Sequence, residues 1–213
     1  MNGQSKLTKS KISKKFVYLI SPNKIKSNNF YKQLDQILKL KKVAFFQLRM
    51  KKESNKNKLV IGKKIKKICK KYGVKFIIND DPKLAKRINA DGCHLGQKDT
   101  TLIKARKLLK NRIIGITCHN SLKLVKKAKR EGADYIALGA FYSSKTKKVK
   151  YKANIKILFS AKKITKLPIV AIGGVKLNNY KKLLLNKANF LAISSYIWNN
   201  KKYKPVEALK KLK

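Results

Sequence analysis

The sequence predicts an α/β fold, a single (β/α)8 TIM barrel with parallel strands, and three observations lead there. Eight short apolar runs enriched in β-branched and aromatic residues recur along the chain. Between them lie lysine-rich stretches whose apolar residues fall at helical spacing. The runs are continuous rather than alternating, as suits parallel strands covered on both faces. Regular alternation of eight strands with helices favours closure into a barrel over an open sheet.

The first fourteen residues are polar and basic and are read as a disordered tail, followed by one barrel domain over 15–213. Strands are expected at 16–20, 44–48, 76–78, 92–95, 113–116, 135–138, 168–172 and 190–193. Helical spacing is clearest for Leu59, Ile61, Ile65 and Ile68 before Tyr72, and for Leu122, Leu124, Val125 and Ala128 before Gly132. At 213 residues and 43% hydrophobic, the chain can bury one large core and lies near the lower limit for such a barrel.

A formal charge of +47 makes nucleic acid the first partner class to weigh, because basic surfaces bind phosphate backbones by counterion release. The distribution argues against it. Of 56 basic residues only Arg49, Arg87, Arg106, Arg112 and Arg130 are arginine, and the lysines are spread from end to end. No zinc-finger, RRM-like or heptad pattern accompanies them, so no specific nucleic-acid partner is expected. There is no apolar run of about 18 residues and no signal-peptide pattern, so no membrane partner is expected and the location is read as cytoplasmic. Cys69, Cys93 and Cys118 are odd in number and widely spaced, which suggests reduced thiols. A homo-oligomer is left open. The nine carboxylates are more informative than the lysines, since Asp80, Asp81, Asp91 and Asp99 fall in one short segment.

A parallel barrel places its chemistry where strands end, so the polar residues after each apolar run are the site candidates. They are Gln47, Arg49 and Lys51; Asn79 and Asp80; Gln97 and Asp99; Thr117 and His119; Ser143, Ser144, Thr146 and Lys147; Gly173 and Gly174; and Ser194 and Ser195. Asp80 and Asp99 follow consecutive strands, and two hard carboxylates suit Mg2+, which keeps waters and takes phosphate oxygens. Set against this, Asp81-Pro82 reads as a helix start that Asp80 or Asp81 caps. Gly173-Gly174 allows close backbone approach, and with Ser194 or Ser195 stands where barrels commonly bind phosphate. The 143–148 loop, rich in hydroxyls and ammonium groups, suits a polyanion. His94, inside an apolar run, reads as structural, and His119 as a candidate acid or base.

The motifs Gln47-Leu48-Arg49 with Lys51, Ile78-Asn79-Asp80, Ala90-Asp91-Gly92-Cys93-His94-Leu95-Gly96-Gln97-Lys98-Asp99, Gly115-Ile116-Thr117-Cys118-His119 and Ala171-Ile172-Gly173-Gly174 together resemble the thiamine-phosphate synthase family, in order from Phe16 to Ile197. The resemblance implies a transferase that joins hydroxymethylpyrimidine diphosphate to hydroxyethylthiazole phosphate and releases pyrophosphate. It implies Mg2+ on Asp80 and Asp99, and Arg49, Lys51, Asn79 and Lys147 on the leaving group. Gln47 and Thr117 would then lie near the pyrimidine, and Thr146, Gly174 and Ser195 near the thiazole phosphate.

Three departures stand out. Met50 replaces the usual glutamate, the loop Ser143-Ser144-Lys145-Thr146-Lys147 replaces Pro-Thr-x-Thr-Lys, and Lys187-Ala188-Asn189-Phe190 replaces Gly-Ala-Asp-Gly. The last bears on the final phosphate contact. The alternatives are a sister isomerase that uses a histidine where His119 stands, a thiazole-phosphate binder without activity, and a basic nucleic-acid-associated barrel.

Overall fold

The computed structural model describes residues 15–25, 27–143 and 152–213. The basic tail read at 1–14 lies outside the described residues. The strands are β1 (Val17–Ile20), β2 (Val43–Leu48), β3 (Lys75–Asn79), β4 (Gly92–Leu95), β5 (Ile113–His119), β6 (Tyr135–Gly139), β7 (Ile169–Ile172) and β8 (Phe190–Ile193). They pair in parallel in sequence order, and β1 pairs with β8 to close the barrel. Among the described residues the helices are α1 (Asn29–Lys39), α2 (Asn55–Lys71), α3 (Pro82–Ile88), α4 (Leu102–Leu109), α5 (Leu122–Arg130), α6 (Lys156–Ile164), α7 (Tyr180–Leu185), the single turn α8 (Ser195–Trp198) and α9 (Pro205–Lys211).

The core has two parts because successive strand residues face opposite sides of the sheet. Outward residues such as Leu19, Phe46, Leu48, Ile78, Leu95 and Leu138 pack with the helices. Inward residues, among them Tyr18, Ile20, Tyr135, Ala137, Val170 and Ala192, fill the barrel interior. That interior is packed, and ligand chemistry is confined to the rim.

Seven of the eight strands lie within a residue or so of the runs read from the sequence. β5 differs. It continues three residues past the expected end, to His119, through a break in register between Thr117 and His119, and His119 has φ 51. Thr117 and His119 therefore belong to the strand end itself. A bulge of this kind redirects side chains at a barrel rim.

The opposite rim has its own repeated device. The residue just before each of β4, β6 and β8 takes a backbone N–H from the neighbouring strand. Phe76 donates to Asp91 at 2.9 Å, Ile114 to Asp134 at 2.7 Å, and Ile169 to Asn189 at 2.9 Å. Each side chain thereby satisfies a backbone amide in the first two residues of the preceding strand.

Candidate active site at the barrel mouth

Of the four clustered aspartates, two go elsewhere and two meet. Asp91 serves the far rim, bonded to Phe76 and facing Lys75. Asp81 caps α3, accepting from the Leu84 N–H at 2.9 Å, so the helix-start reading holds for Asp81 and frees Asp80. Asp80 has φ 64, a left-handed backbone that non-glycine residues adopt rarely and mostly at constrained sites. Its N–H donates to the His94 carbonyl at 2.8 Å, which ties the end of β3 to β4.

In this conformation the Asp80 carboxylate stands 2.8 Å from Lys51 Nζ and within hydrogen-bonding reach of Asp99. Asp99 is itself anchored, accepting from the Gly96 N–H at 2.7 Å. Burial raises the pKa of both carboxyls, but for Asp80 the Lys51 ammonium and the hydrogen bond with Asp99 outweigh it and hold the value below the usual range. For Asp99, burial and the bond to Asp80 together push it up. Two carboxylates this close disfavour a second negative charge, and either a shared proton or a cation relieves them. Among the described residues no group of three or more His, Cys, Asp or Glu gathers as a metal set. A pair of hard oxygen donors is nonetheless what Mg2+ uses when waters and phosphate complete its shell.

Around this pair the other candidates converge from β2, β3 and β5. Gln47 points into the barrel and donates from Nε2 to Asn79 Oδ1 at 3.0 Å, which fixes both amides. Arg49 is held by its backbone, since its N–H donates to Ser21 Oγ at 2.9 Å. Its guanidinium is near enough to His94 to disfavour protonation of that ring. Lys51, Asn79 and Asp80 also line a cavity of about 650 Å3 on the helix side of the rim, whose walls include Met50, Ile78, Leu84 and Leu108. Met50, the departure between Arg49 and Lys51, is buried in the outer core and lines the same cavity as Lys51, Asn79 and Asp80.

Thr117 stands at the end of a buried polar chain. Its Oγ1 lies 2.9 Å from His94 Nε2, His94 Nδ1 lies 2.9 Å from the Tyr135 hydroxyl, and that hydroxyl lies 2.8 Å from the hydroxyl of Tyr18. Burial lowers the His94 pKa to about 4, so the ring is neutral near pH 7. The structural reading of His94 is correct but incomplete, because the ring backs a site residue directly. Tyr135 and Tyr18 escaped the sequence reading. Their signal was a hydroxyl inside each of two otherwise apolar strands. Gly115 makes room for the chain, since a Cβ there would fall 1.9 Å from the Tyr135 ring.

Farther round the rim, Gly173 and Gly174 have φ 102 and 61. A Cβ on Gly174 would fall 2.4 Å from the Ser143 carbonyl oxygen, and one on Gly173 2.4 Å from Ala140 Cβ. The close approach expected at this turn is thus made to the chain after β6. Ser194 donates to the Ser21 carbonyl at 3.2 Å, and Ser195 opens α8. His119 is half-buried at the end of β5. Ser144, Thr146 and Lys147 lie outside the described residues. The Lys187–Phe190 departure leads into β8 at the far rim, where Asn189 accepts from the Ile169 N–H.

A family model described as thiamine monophosphate synthase matches residues 17–197. The chain belongs to this family. Over 207 residues it is 72% identical to the thiamine-phosphate synthase of Pelagibacter ubique (strain HTCC1062), covering 97% of this chain and 100% of that one. It is 40% identical to the thiamine-phosphate synthase of Nitrosomonas eutropha (strain DSM 101675 / C91 / Nm57), over 74% of each chain. The thiamine phosphate pyrophosphorylase of Pyrococcus furiosus superposes with a TM-score of 0.82 at 24% identity, covering 93% and 94% of the two chains, a likeness of fold. The chain is accordingly an enzyme of thiamine phosphate synthesis acting on small molecules, and the isomerase, inactive-binder and nucleic-acid readings are not favoured. No helix among the described residues is long and apolar enough to cross a membrane.

Proposed function

We propose that the barrel mouth joins hydroxymethylpyrimidine diphosphate to hydroxyethylthiazole phosphate, forming thiamine phosphate and pyrophosphate, with Mg2+ held by Asp80 and Asp99. The observation that carries this reading is the pairing of those two carboxylates beside Lys51 at consecutive strand ends. Lys51, Asn79 and Asp80 stand together at that rim, where they also edge a cavity otherwise lined by outer-core and helix residues such as Leu48, Met50, Ile78 and Leu84.

Bound Mg2+ would neutralise charge on the departing diphosphate. Arg49 and Lys51, joined by Lys147, hold that group and stabilise the negative charge that grows on it as the carbon–oxygen bond breaks. Asn79, fixed by Gln47, gives the diphosphate a neutral donor, while Gln47 and Thr117 orient the pyrimidine. The thiazole nitrogen then bonds to the carbon that pyrophosphate leaves, so no protein nucleophile is needed. Gly173, Gly174, Ser194 and Ser195, with Ser144 and Thr146, are assigned to the thiazole phosphate, and His119 to the ligand-facing end of β5. A cytoplasmic location belongs to the same reading and is supported by a biosynthetic role on charged small molecules.

The test is an assay of thiamine phosphate from the two substrates with and without Mg2+, beside Asp99→Ala. Mg2+-dependent product, reduced at least about 100-fold in the variant, is the expected result. Product that persists after chelation or in Asp99→Ala would remove the metal assignment, and no product from folded wild-type protein would remove the substrates.

A further inference from the structure

The chain Tyr18, Tyr135, His94, Thr117 has a direction that decides what Thr117 offers a ligand. Both ring nitrogens of His94 face hydroxyls, and in a neutral imidazole one nitrogen donates while the other accepts. The contacts can be satisfied with His94 in either tautomer. In one, Thr117 donates to Nε2, Nδ1–H donates to Tyr135, and Tyr135 donates to Tyr18. The Tyr18 proton is then left inside the barrel without an acceptor, because among the described residues its one hydroxyl contact is Tyr135 and the residue is 2% exposed; were Tyr18 to donate instead, the equally buried Tyr135 proton would be stranded. In the other, Tyr18 donates to Tyr135, Tyr135 to Nδ1, and Nε2–H to Thr117. Every proton inside the barrel then has an acceptor, and the one left over is Thr117's own, at the half-exposed mouth. Buried donors are almost always satisfied, whereas spare carbonyl or hydroxyl lone pairs are tolerated.

We propose that Tyr135 locks His94 in the Nε2–H tautomer and thereby makes Thr117 a hydrogen-bond donor to the ligand at the mouth. The functional half rests on the placement of Thr117 at the pyrimidine. A hydroxyl that already accepts from His94 has its own proton to give, so it selects an acceptor such as an unprotonated ring nitrogen over an amino group. Tyr135 and His94 are positioning residues, acting through Thr117. The direction is set without charge, because both partners of the ring are neutral hydroxyls.

The experiment combines 15N spectroscopy with a double-mutant cycle on the full chain. The protein has only two histidines, His94 and His119, so a long-range proton–nitrogen spectrum holds two ring systems, and His119→Gln assigns them. The wild type is expected to show His94 protonated on Nε2, with an Nδ1 resonance that moves in Tyr135→Phe. Tyr18→Phe keeps the Nε2–H form, since Tyr135 then has no acceptor besides His94. Tyr135→Phe and Thr117→Val each raise the KM for the pyrimidine diphosphate about tenfold while that for the thiazole phosphate stays within about twofold. In the Thr117→Val background Tyr135→Phe adds less than about twofold, as expected for residues acting through one another. Nδ1–H in the wild type, or fully additive effects, would overturn the lock. An Nε2–H wild type in which Thr117→Val leaves the pyrimidine KM unchanged would instead overturn the placement of Thr117.

Discussion

Asp80 and Asp81 are neighbours in the chain with different tasks, and the difference is one of backbone conformation. Asp81 is extended and caps α3, whereas Asp80 turns left-handed and faces Lys51 and Asp99. Asp81→Ala should cost about 1 kcal/mol of stability, as loss of a helix cap does, with Mg2+ dependence retained. Asp80→Asn, which tolerates the positive φ, should keep the fold and reduce turnover at least about 100-fold. Urea midpoints and the product assay on both variants check this. His94 sets a pH dependence. Its pKa falls from 6.5 to about 4 on folding, so between those pH values the unfolded chain binds a proton that the folded chain does not. Stability is therefore complete above about pH 6.5 and falls as pH drops toward 4, by up to about 3 kcal/mol. A pH series of urea midpoints should show this slope in the wild type and lose it in His94→Gln.

At the scale of elements, the strands were legible because they are covered on both faces and read as unbroken apolar runs. The extension of β5 was not, since Thr117, Cys118 and His119 show no apolar run and the register break at Thr117 depends on pairing with β6. The placement of 187–190 was not legible for a similar reason. Local sequence cannot say which rim a residue reaches, and Asn189 belongs to the rim where Asp91 and Asp134 do the same capping. Asn189→Ala should cost about 1–3 kcal/mol by orphaning the Ile169 amide while leaving the KM for the thiazole phosphate within about twofold. Gly115→Ala, which drives a methyl into the Tyr135 ring, should cost about 1–3 kcal/mol through overpacking and disturb the His94 chain. Thermal melts and steady-state kinetics test both.

For the whole molecule, the charge of +47 finds a use in the substrates. Both proposed ligands are anions, and a positive field raises their encounter rate with the mouth in a way that salt screens. Raising ionic strength from 20 to 200 mM should lower kcat/KM several-fold with little change in kcat. An unchanged kcat/KM would make the lysines irrelevant to capture.

The sequence by itself determined the barrel and most of the residues at its mouth. Apolar runs mark buried parallel strands, and in such a barrel the residue after a run is carried to the active rim whatever its neighbours are. Tertiary structure alone decided which of four clustered aspartates meet, since Asp80 and Asp99 are brought together by the pairing of β3 with β4 while Asp91, between them in sequence, goes to the opposite end. It alone also decided that Tyr18, Tyr135, His94 and Thr117 form one chain. Those four come from four strands separated by as many as 117 positions, and their contact depends on closure and stagger of the whole barrel, which no local pattern encodes.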